Sequence, residues 1–372
     1  MPTTVTIGQK AIKEALFSHI SIGKVPHAQC FIDSGGRGGL ALALDCAFSL
    51  LYAEIPDSIE KALQHPDLQF VFPVATSESV KSKPSCADYM PAWRSFVAES
   101  VYGDLREWLN YIGAENKQGN IGVTETERLT NALSLKAYLG KNKVCILWGV
   151  EQMNLEASNK LLKLIEEPPK DTYFFFIVDD EETLLPTIRS RCQQIPLPPI
   201  PESTISEVLA TKGSSAEEAE RLAREAGGDL RLAMEIQKNE SRGDKMEAKL
   251  IECLRCAFRA GKNKAIGIEL MQWSNSMGQL GRNEQKAFLS FGLRFLRQAL
   301  LLSYQTPSLM TYQSRNSFSM EKFAPYVHSQ NALALVRLFE DGLFAIERNA
   351  NGKILFADFC IQLTRLLNTK EN

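Results

Sequence analysis

A glycine-rich stretch near the N-terminus has the form of a phosphate-binding loop. The stretch IDSGGRGGLALALD places its glycines between an apolar run and a helical pattern, where backbone N–H groups and a helix N-terminus can bind phosphate oxygens. Aligned on the pattern GxxxxGK[ST], Asp33 takes the first glycine position and Gly38 the second. Gly39 stands in place of the phosphate-binding lysine, and Leu40 in place of the hydroxyl residue that binds Mg²⁺. Gly36 and Gly38 still allow a ligand to approach the backbone closely, so the pattern predicts a phosphate cradle without its cation and metal ligand.

The two replacements argue against tight binding of Mg-ATP. Each lost charge-assisted contact is worth about 1.5–3 kcal/mol, so the loss of both weakens triphosphate binding by roughly two to four decades. The carboxylate of Asp33 adds charge repulsion. A dinucleotide site of the G-x-G-x-x-G kind is the other option, but the spacing does not fit and no acidic residue ends the next strand. The loop therefore predicts a vestigial site with no tightly bound nucleotide.

A second stretch lacks the carboxylates that ATP hydrolysis needs. The strand that would carry the ligands of Mg²⁺ and of the attacking water reads KVCILWGVEQMN and ends at Trp148 and Gly149. Glu151 lies a few residues further on, and we expect it to be out of reach of the loop. Because two independent positions lack hydrolytic residues, the sequence predicts a chain that does not hydrolyse ATP on its own.

The elements around these positions indicate an α/β domain. Short apolar runs alternate with amphipathic helical patterns, as in a parallel sheet covered by helices. The runs are nearly continuous, which is typical of strands buried on both faces. The predicted strands are Gln29–Asp33, Leu68–Val74, Lys143–Trp148, Tyr173–Val178 and Gln193–Leu197. The predicted helices are Gly8–His19, Leu40–Tyr52, Val123–Ala137 and Asn154–Ile165, the last with Asn154 as its N-cap.

The segment of about residues 75–119 interrupts this alternation. It begins with a polar loop that contains Lys81 and Lys83, and then two helical patterns share one apolar stripe. The stripe comprises Trp93, Phe96, Val97, Val101, Leu105, Trp108, Leu109 and Ile112. One interpretation is a helical insertion packed on the edge of the sheet, and the other is a surface for a partner or DNA.

The pattern becomes entirely helical after the proline-rich stretch LPLPPIPES. A short helical unit follows that stretch, and a longer helical region fills the remainder of the chain. We therefore predict an α/β domain over 1–198, a small helical lid over 199–240 and a C-terminal helical domain over 241–372.

Net charge, apolar stretches and cysteine spacing limit the classes of function that the chain could have. The formal net charge of −2 gives no strongly basic field, so any contact with nucleic acid is local or shared with partners. No apolar stretch approaches a membrane span and the N-terminal residues lack a signal-peptide pattern, so we expect a cytoplasmic protein. Of the eight cysteines, Cys253 and Cys256 form a lone CxxC on one helical face. Core packing and metal or redox use are the two interpretations of that pair.

Five stretches resemble motifs of the bacterial clamp-loader subunits of DNA polymerase III, which are AAA+ proteins. In order they read IGQKAIKEAL, VPHAQCFI, HPDLQFVFP, EQMNLEASNKLLKLIEEPP and LLPTIRSRCQ. The resemblance covers about residues 7–200, with 75–119 outside it. It implies a P-loop α/β domain with a five-stranded parallel sheet, a helical lid and an all-α collar. The family's ATPase members, gamma/tau, have intact P-loops, whereas this chain resembles its members with a degenerate loop. The four-cysteine zinc cluster of the family is missing, so we predict no metal.

The resemblance also assigns a role to Ser190, Arg191 and Cys192. In the family the arginine of this motif reaches the ATP bound by a neighbouring subunit, and residues 187–189 position it. A guanidinium is permanently charged and can bridge phosphate oxygens, and such an arginine finger is worth roughly 10³–10⁵ in the rate of phosphoryl transfer. The alternative for Arg191 is a surface salt bridge. Arg231 matches the sensor-2 position, which contacts bound nucleotide in the family, but with the loop degenerate we favour a structural ion pair.

The implied function is that of a stator-like subunit without ATPase activity of its own. Its partners would be gamma/tau-type ATPase subunits and a delta subunit in a hetero-pentameric ring, which loads the sliding clamp onto primed DNA. Glu166 and Glu167 would form a solvated helix end or orient arginines at a subunit interface. The alternatives are an active gamma/tau-like ATPase with an atypical P-loop, and a free-standing enzyme that binds a dinucleotide.

Overall fold

The computed structural model describes residues 5–369, apart from residues 116, 239, 262, 264 and 305–317, and it describes no side-chain placement for 240–245, 283 and 347. The outermost residues of the predicted first and last domains, 1–4 and 370–372, lie outside this description. The chain divides into two units, Met1–Met234 and Glu235–Asn372. The predicted boundaries at 198 and 240 stay predictions.

A five-stranded parallel sheet forms the centre of the first unit. The strands are β1 (Ala28–Ile32), β2 (Leu68–Val71), β3 (Lys143–Trp148), β4 (Thr172–Val178) and β5 (Gln193–Pro196), in the spatial order β2-β3-β4-β1-β5. Each predicted strand is therefore present, with ends displaced by at most three residues. The predicted fold class is confirmed: the first unit is an α/β domain with a five-stranded parallel sheet, and the described residues after the sheet form helices and no further strand.

Burial differs between the inner strands and the last strand. Every residue of β1 and β3 is buried, as the continuous apolar runs predict. The expectation of two buried faces is wrong for β5, whose residues are exposed or half-buried. This strand pairs only with β1 and carries Gln193 and Gln194, so it forms a solvated edge of the sheet.

Helices cover the sheet and connect its strands. They are α1 (Lys10–Ser21), α2 (Gly39–Leu51), α3 (Ile59–Ala62), α4 (Cys86–Ser100), α5 (Leu105–Tyr111), α6 (Val123–Ser134), α7 (Leu155–Glu166) and α8 (Pro186–Arg189). The predicted N-cap of α7 is confirmed, because the Asn154 side chain accepts a hydrogen bond of 2.8 Å from the Ala157 N–H.

The inserted segment packs its apolar stripe into the core of the first unit. Val74 and Asn120 exchange two backbone hydrogen bonds at its base. Trp93 of α4 is fully buried, stacks on Phe72 at 4.3 Å between ring centroids and meets Trp108 of α5 edge-on at 5.1 Å. The packing interpretation of the stripe is therefore correct. The interpretation of the segment as a partner surface stays a prediction.

After β5, the part of the chain that the structure describes contains helices and no strand. The first three are α9 (Glu202–Thr211), α10 (Ala216–Ala226) and α11 (Leu230–Lys238), the last of which begins in the first unit. The second unit contains α12 (Glu240–Ala260), α13 (Ile266–Gln279), α14 (Arg282–Ser303), α15 (Met320–Phe323), α16 (Ala332–Glu347) and α17 (Gly352–Leu367). Cys253 lies in the core of this unit and Cys256 packs against that core, as core packing of the CxxC pair requires. None of the helices in the described ranges has the length and apolar character to cross a membrane.

Candidate functional site

The glycine loop joins β1 to α2, and a carboxylate of the chain itself occupies it. Asp33 Oδ1 accepts a hydrogen bond of 2.6 Å from the Arg37 N–H, and Asp33 Oδ2 accepts one of 2.7 Å from the Gly39 N–H. These N–H groups lie at the N-terminus of α2, where a P-loop presents its donors to phosphate. The sequence predicts repulsion by Asp33, and the structure adds that its carboxylate takes donors a phosphate would use.

The glycines of the loop make close contacts with protein groups. The Gly36 carbonyl accepts a hydrogen bond of 3.3 Å from the Leu230 N–H at the start of α11. Gly38 has a φ of +97°, and a methyl group on its Cα would lie 2.8 Å from Tyr102 Cε1 of the insertion. The space that a phosphate cradle leaves for a ligand is therefore taken by α11 and by the insertion.

Gly39 and Leu40, at the lysine and hydroxyl positions of a P-loop, are buried at the start of α2. A Cβ on Gly39 would lie 3.0 Å from the Asp33 Cβ, so a lysine at this position would crowd Asp33. Leu40 is 3% exposed and belongs to the core of the first unit. Neither position offers a side-chain group to a nucleotide.

Trp148 ends β3, where a carboxylate would be needed, and its ring points into the insertion. The ring is 7% exposed and lies 5.1 Å from the Trp93 ring and 6.4 Å from the Phe96 ring, measured between centroids. An indole in an aromatic cluster has no oxygen with which to bind Mg²⁺. This position is therefore part of the hydrophobic core.

The expectation that Glu151 lies out of reach of the loop is wrong. Gly149 adopts a φ of +66° and a short 3₁₀ turn follows it, so the chain folds back and Glu151 lines the same cavity as the glycine loop. Burial, together with the smaller effect of the nearby Asp179, raises the pKa of Glu151 to about 7. Glu151 thus binds a proton far more readily near neutral pH than an ordinary glutamate does.

Asp179 is a residue of the cavity that the sequence analysis missed. It follows directly on β4, which pairs with β1, so both strands deliver the residue after their last one to the same edge of the sheet. Although Asp179 is exposed, partial desolvation by the surrounding chain and the neighbouring Asp33 together raise the pKa of its carboxyl group to about 6. The pairing of β1 with β4 is the signal that identifies Asp179, and strand order is not readable from local pattern.

Arg231 closes the cavity with an ion pair inside the chain. Its guanidinium binds the Asp104 carboxylate of the insertion through Nη1 and lies 3.3 Å from Asp229 Oδ2 through Nη2. This is the kind of contact that the sequence analysis favours over a nucleotide contact. The remaining cavity has a volume of about 40 Å³. A water molecule needs about 10–15 Å³ of such space, so the cavity holds a few waters and is far too small for a nucleotide.

Arg191 lies in a different place, just before β5, and is accessible to solvent. Its side chain is 38% exposed, and Nη2 lies 2.5 Å from Glu166 Oε1 at the end of α7. Nη1 also donates to the Thr187 carbonyl at 3.0 Å and lies 3.4 Å from Ser190 Oγ. Burial raises the pKa of Cys192 to about 12, so this thiol stays protonated and is a poor nucleophile.

The glycine loop and Arg191 lie at opposite ends of the parallel strands. Gln193, the first residue of β5, pairs with Gln29 near the start of β1, and Pro196 pairs with Ile32 at its end. Because β1 and β5 are parallel, Arg191 lies before the level of their first paired residues. The glycine loop lies beyond the level of their last paired residues. Four residues of strand alone separate these levels by roughly 13 Å. Arg191 therefore cannot act on a ligand in the chain's own glycine loop.

Within the described residues, no group of three or more histidine, cysteine, aspartate or glutamate side chains is arranged to hold a metal ion. The predicted lack of zinc and of tight Mg-ATP binding nevertheless stays a prediction, since ligand binding is a matter for solution measurement.

The family of the chain follows from its first half. A sequence model of the family described as "DNA polymerase III, delta subunit" matches residues 8–201, which include the glycine loop, the whole sheet, the insertion and Arg191. The chain belongs to this family. The resemblance to bacterial clamp-loader subunits that the five motifs carry is thereby confirmed.

Two curated relatives show how far the likeness to this delta-subunit family extends. The DNA polymerase III subunit delta' of Pseudomonas aeruginosa is 36% identical over 124 residues, which are 29% of this chain and 38% of that protein. The subunit tau/gamma of Haemophilus influenzae is 33% identical over 88 residues, 24% of this chain and 13% of that protein. The chain thus spans less than two fifths of the length of either relative.

A solved structure of a "gamma subunit-related protein" from Thermotoga maritima is similar to most of the chain. It covers 95% of this chain and 99% of its own length, with a TM-score of 0.48 and 15% sequence identity. The description of the fold therefore rests on the strand order and the helices given above.

Proposed function

We propose that the chain is a delta-prime-type, stator-like subunit of the DNA polymerase III clamp loader, without ATPase activity of its own. One observation carries the proposal: the Asp33 carboxylate occupies the N–H donors of the glycine loop, while Arg191 is exposed at the opposite end of the parallel strands. The family match supplies the context, since the Pseudomonas and Haemophilus relatives are named as the delta' and tau/gamma subunits of DNA polymerase III.

In this proposal Arg191 is an arginine finger that acts in trans on ATP bound by a gamma/tau-type neighbour. A delta subunit completes the hetero-pentameric ring, which loads the sliding clamp onto primed DNA, and the C-terminal helices form the collar. A guanidinium suits the task because it keeps its charge at all physiological pH values and can contact two phosphate oxygens at once. The Thr187 carbonyl and Ser190 Oγ contact the Nη1 atom of this guanidinium, while Nη2 faces Glu166.

The ion pair with Glu166 does not oppose this role. Both side chains are more than a third exposed, and an exposed pair of this kind contributes only about 0–1 kcal/mol. A charge-assisted contact with a phosphate is worth roughly 1.5–3 kcal/mol. Exchange of Glu166 for a γ-phosphate is therefore favourable, and Glu166 keeps the guanidinium near the surface until a neighbouring subunit arrives.

Two measurements test the proposal. The isolated chain should show no binding of Mg-ATP at micromolar concentrations and no turnover in a calorimetric titration and a phosphate-release assay. In a complex reconstituted with gamma/tau-type and delta subunits, Arg191→Ala should lower DNA-stimulated ATP hydrolysis severalfold while the subunits assemble normally. Arg224→Ala, which removes an exposed arginine on α10, is the matched control and should leave hydrolysis unchanged.

Each half of the proposal has its own contrary result. Micromolar Mg-ATP binding with turnover by the isolated chain would establish the alternative, an active gamma/tau-like ATPase with an atypical P-loop. Equal hydrolysis by wild-type and Arg191→Ala complexes would remove the arginine finger and leave Arg191 as a surface salt bridge. Binding of NAD would favour a dinucleotide enzyme.

A further inference from the structure

A five-residue segment of the insertion enters the cavity beside the glycine loop. The segment Val101–Leu105 connects α4 to α5, and all five of its residues line the cavity together with the loop and Arg231. Packing of the aromatic stripe accounts for the two helices but not for the polar groups of this connection. Those polar groups, on Tyr102 and Asp104, make specific contacts with both sides of the cavity.

Tyr102 makes two hydrogen bonds with a single residue near the N-terminus. Its hydroxyl accepts a bond of 2.6 Å from the Ile7 N–H and donates one of 3.3 Å to the Ile7 carbonyl. The ring is 6% exposed and lies against Gly38. The hydroxyl therefore ties the insertion to the residues before α1, and the ring fills the space beside Gly38 of the glycine loop.

Asp104 makes the contact that a phosphate would make with an arginine. Its carboxylate binds the guanidinium of Arg231, which stands at the start of α11, and Oδ1 accepts a bond of 2.7 Å from the Glu107 N–H as the N-cap of α5. The second contact fixes the carboxylate on the insertion. Arg231 is thereby tied to the insertion, and α11 is tied to the glycine loop through Leu230 and Gly36.

We propose that Tyr102 and Asp104, together with Asp33, form an intramolecular ligand that fills the cavity beside the glycine loop and holds α11 against that loop. The Tyr102 ring fills the space beside Gly38, the Asp33 carboxylate accepts from the N–H donors of the loop, and the Asp104 carboxylate pairs with Arg231. The arrangement of α11 on the sheet is then set by the chain itself and does not change with nucleotide. The inference rests on the non-hydrolysing part of the proposed function but not on the role of Arg191.

Hydrogen exchange measured on the full chain tests whether these residues act as an intramolecular ligand. In the variant Asp104→Asn, which keeps the shape and removes the charge, the Leu230 and Ala233 amides should exchange at least tenfold faster than in the wild type. Tyr102→Phe, which removes only the hydroxyl, should raise exchange at Ile7. Amides in the middle of β4, such as that of Phe175, should keep their wild-type rates in both variants. Tyr111→Phe removes a more exposed hydroxyl of the same insertion and is the matched control.

The outcomes separate this inference from the proposed function. Unchanged exchange at Leu230 and Ala233 in Asp104→Asn, with wild-type rates in β4, would overturn the intramolecular ligand and leave the ATPase tests untouched. Faster exchange throughout β4 would mean that Asp104→Asn unfolds the unit, and Tyr102→Phe then decides through the Ile7 amide alone. Protection of the wild-type Leu230 amide by millimolar ATP would overturn both, because the cavity would then accept nucleotide. An unaffected ATPase rate in Arg191→Ala would overturn only the finger.

Discussion

Replacing Glu151 by glutamine should remove a pH dependence from the stability of the first unit. Glu151 lies in the cavity beside the glycine loop, and no group in the described part of the chain hydrogen-bonds its Oε2. Burial raises its pKa from the ordinary value of 4.5 to about 7. Between these pH values the folded chain holds a proton that the unfolded chain has released. The free energy of unfolding must therefore fall as the pH rises through this window and level off above pH 7.

The size of the effect follows from the same two values. The interval between 4.5 and about 7 corresponds to roughly 3 kcal/mol for a group that keeps the raised value in full. The side chain is half-buried and its cavity holds a few waters, so we expect about 1–3 kcal/mol. Asp179, with a pKa of about 6, contributes in the same direction in both proteins. The difference between wild type and Glu151→Gln therefore reports Glu151 together with its coupling to Asp179.

Urea unfolding followed by tryptophan fluorescence measures this difference. Trp93, Trp108 and Trp148 belong to the first unit, and Trp273 is the fourth tryptophan of the chain, so the signal reports mainly on the relevant unit. Between pH 5 and pH 8 the wild type should lose about 1–3 kcal/mol more than Glu151→Gln, which should be the more stable protein at pH 8. Parallel profiles for the two proteins would refute the burial of an ionisable carboxyl group at this position.

Two further substitutions probe the elements that frame the cavity. Trp93→Ala should lower the free energy of unfolding by about 3–5 kcal/mol in urea titrations, because Trp93 is fully buried and stacked on Phe72; a loss below 1 kcal/mol would mean that the insertion does not share the core. Asn154→Ala should cost about 0.5–2 kcal/mol by the same measurement, since it removes the N-cap of α7, and Asn154→Asp should restore most of the loss; equal costs for both would exclude a capping role.

The strands were predictable because burial on both faces leaves a continuous apolar run. β3 lies between two other strands, and its predicted and observed ends coincide. β5 carries a weaker signal, because the edge position that exposes Gln193 and Gln194 depends on strand order. Local sequence shows whether a segment suits a strand, but it does not show which neighbours the strand receives.

The cavity was only partly predictable, for a similar reason. Asp33, Gly39 and Leu40 follow each other in one loop, so a motif comparison finds them. Asp179 and Asp104 reach the same place from two other parts of the chain, through the β1–β4 pairing and through the fold of the insertion. Glu151 was placed too far away because the effect of a single positive φ at Gly149 is not visible in a strand pattern.

In the proposed function, the loss of a nucleotide site and the retention of an arginine finger are compatible because the parallel sheet separates the glycine loop from Arg191. Asp33 reaches only the donors at the carboxyl edge of β1, and its contacts with Arg37 and Gly39 end at the start of α2. Arg191 contacts Glu166 and Thr187. Glu166 ends α7, which precedes β4, and Thr187 lies in α8, which precedes β5. Changes that fill the cavity with protein groups therefore leave the conformation of Arg191 unaffected, whereas a ligand in the cavity would have no contact with it. An arginine at the opposite end of the strands can serve only a phosphate that another molecule supplies.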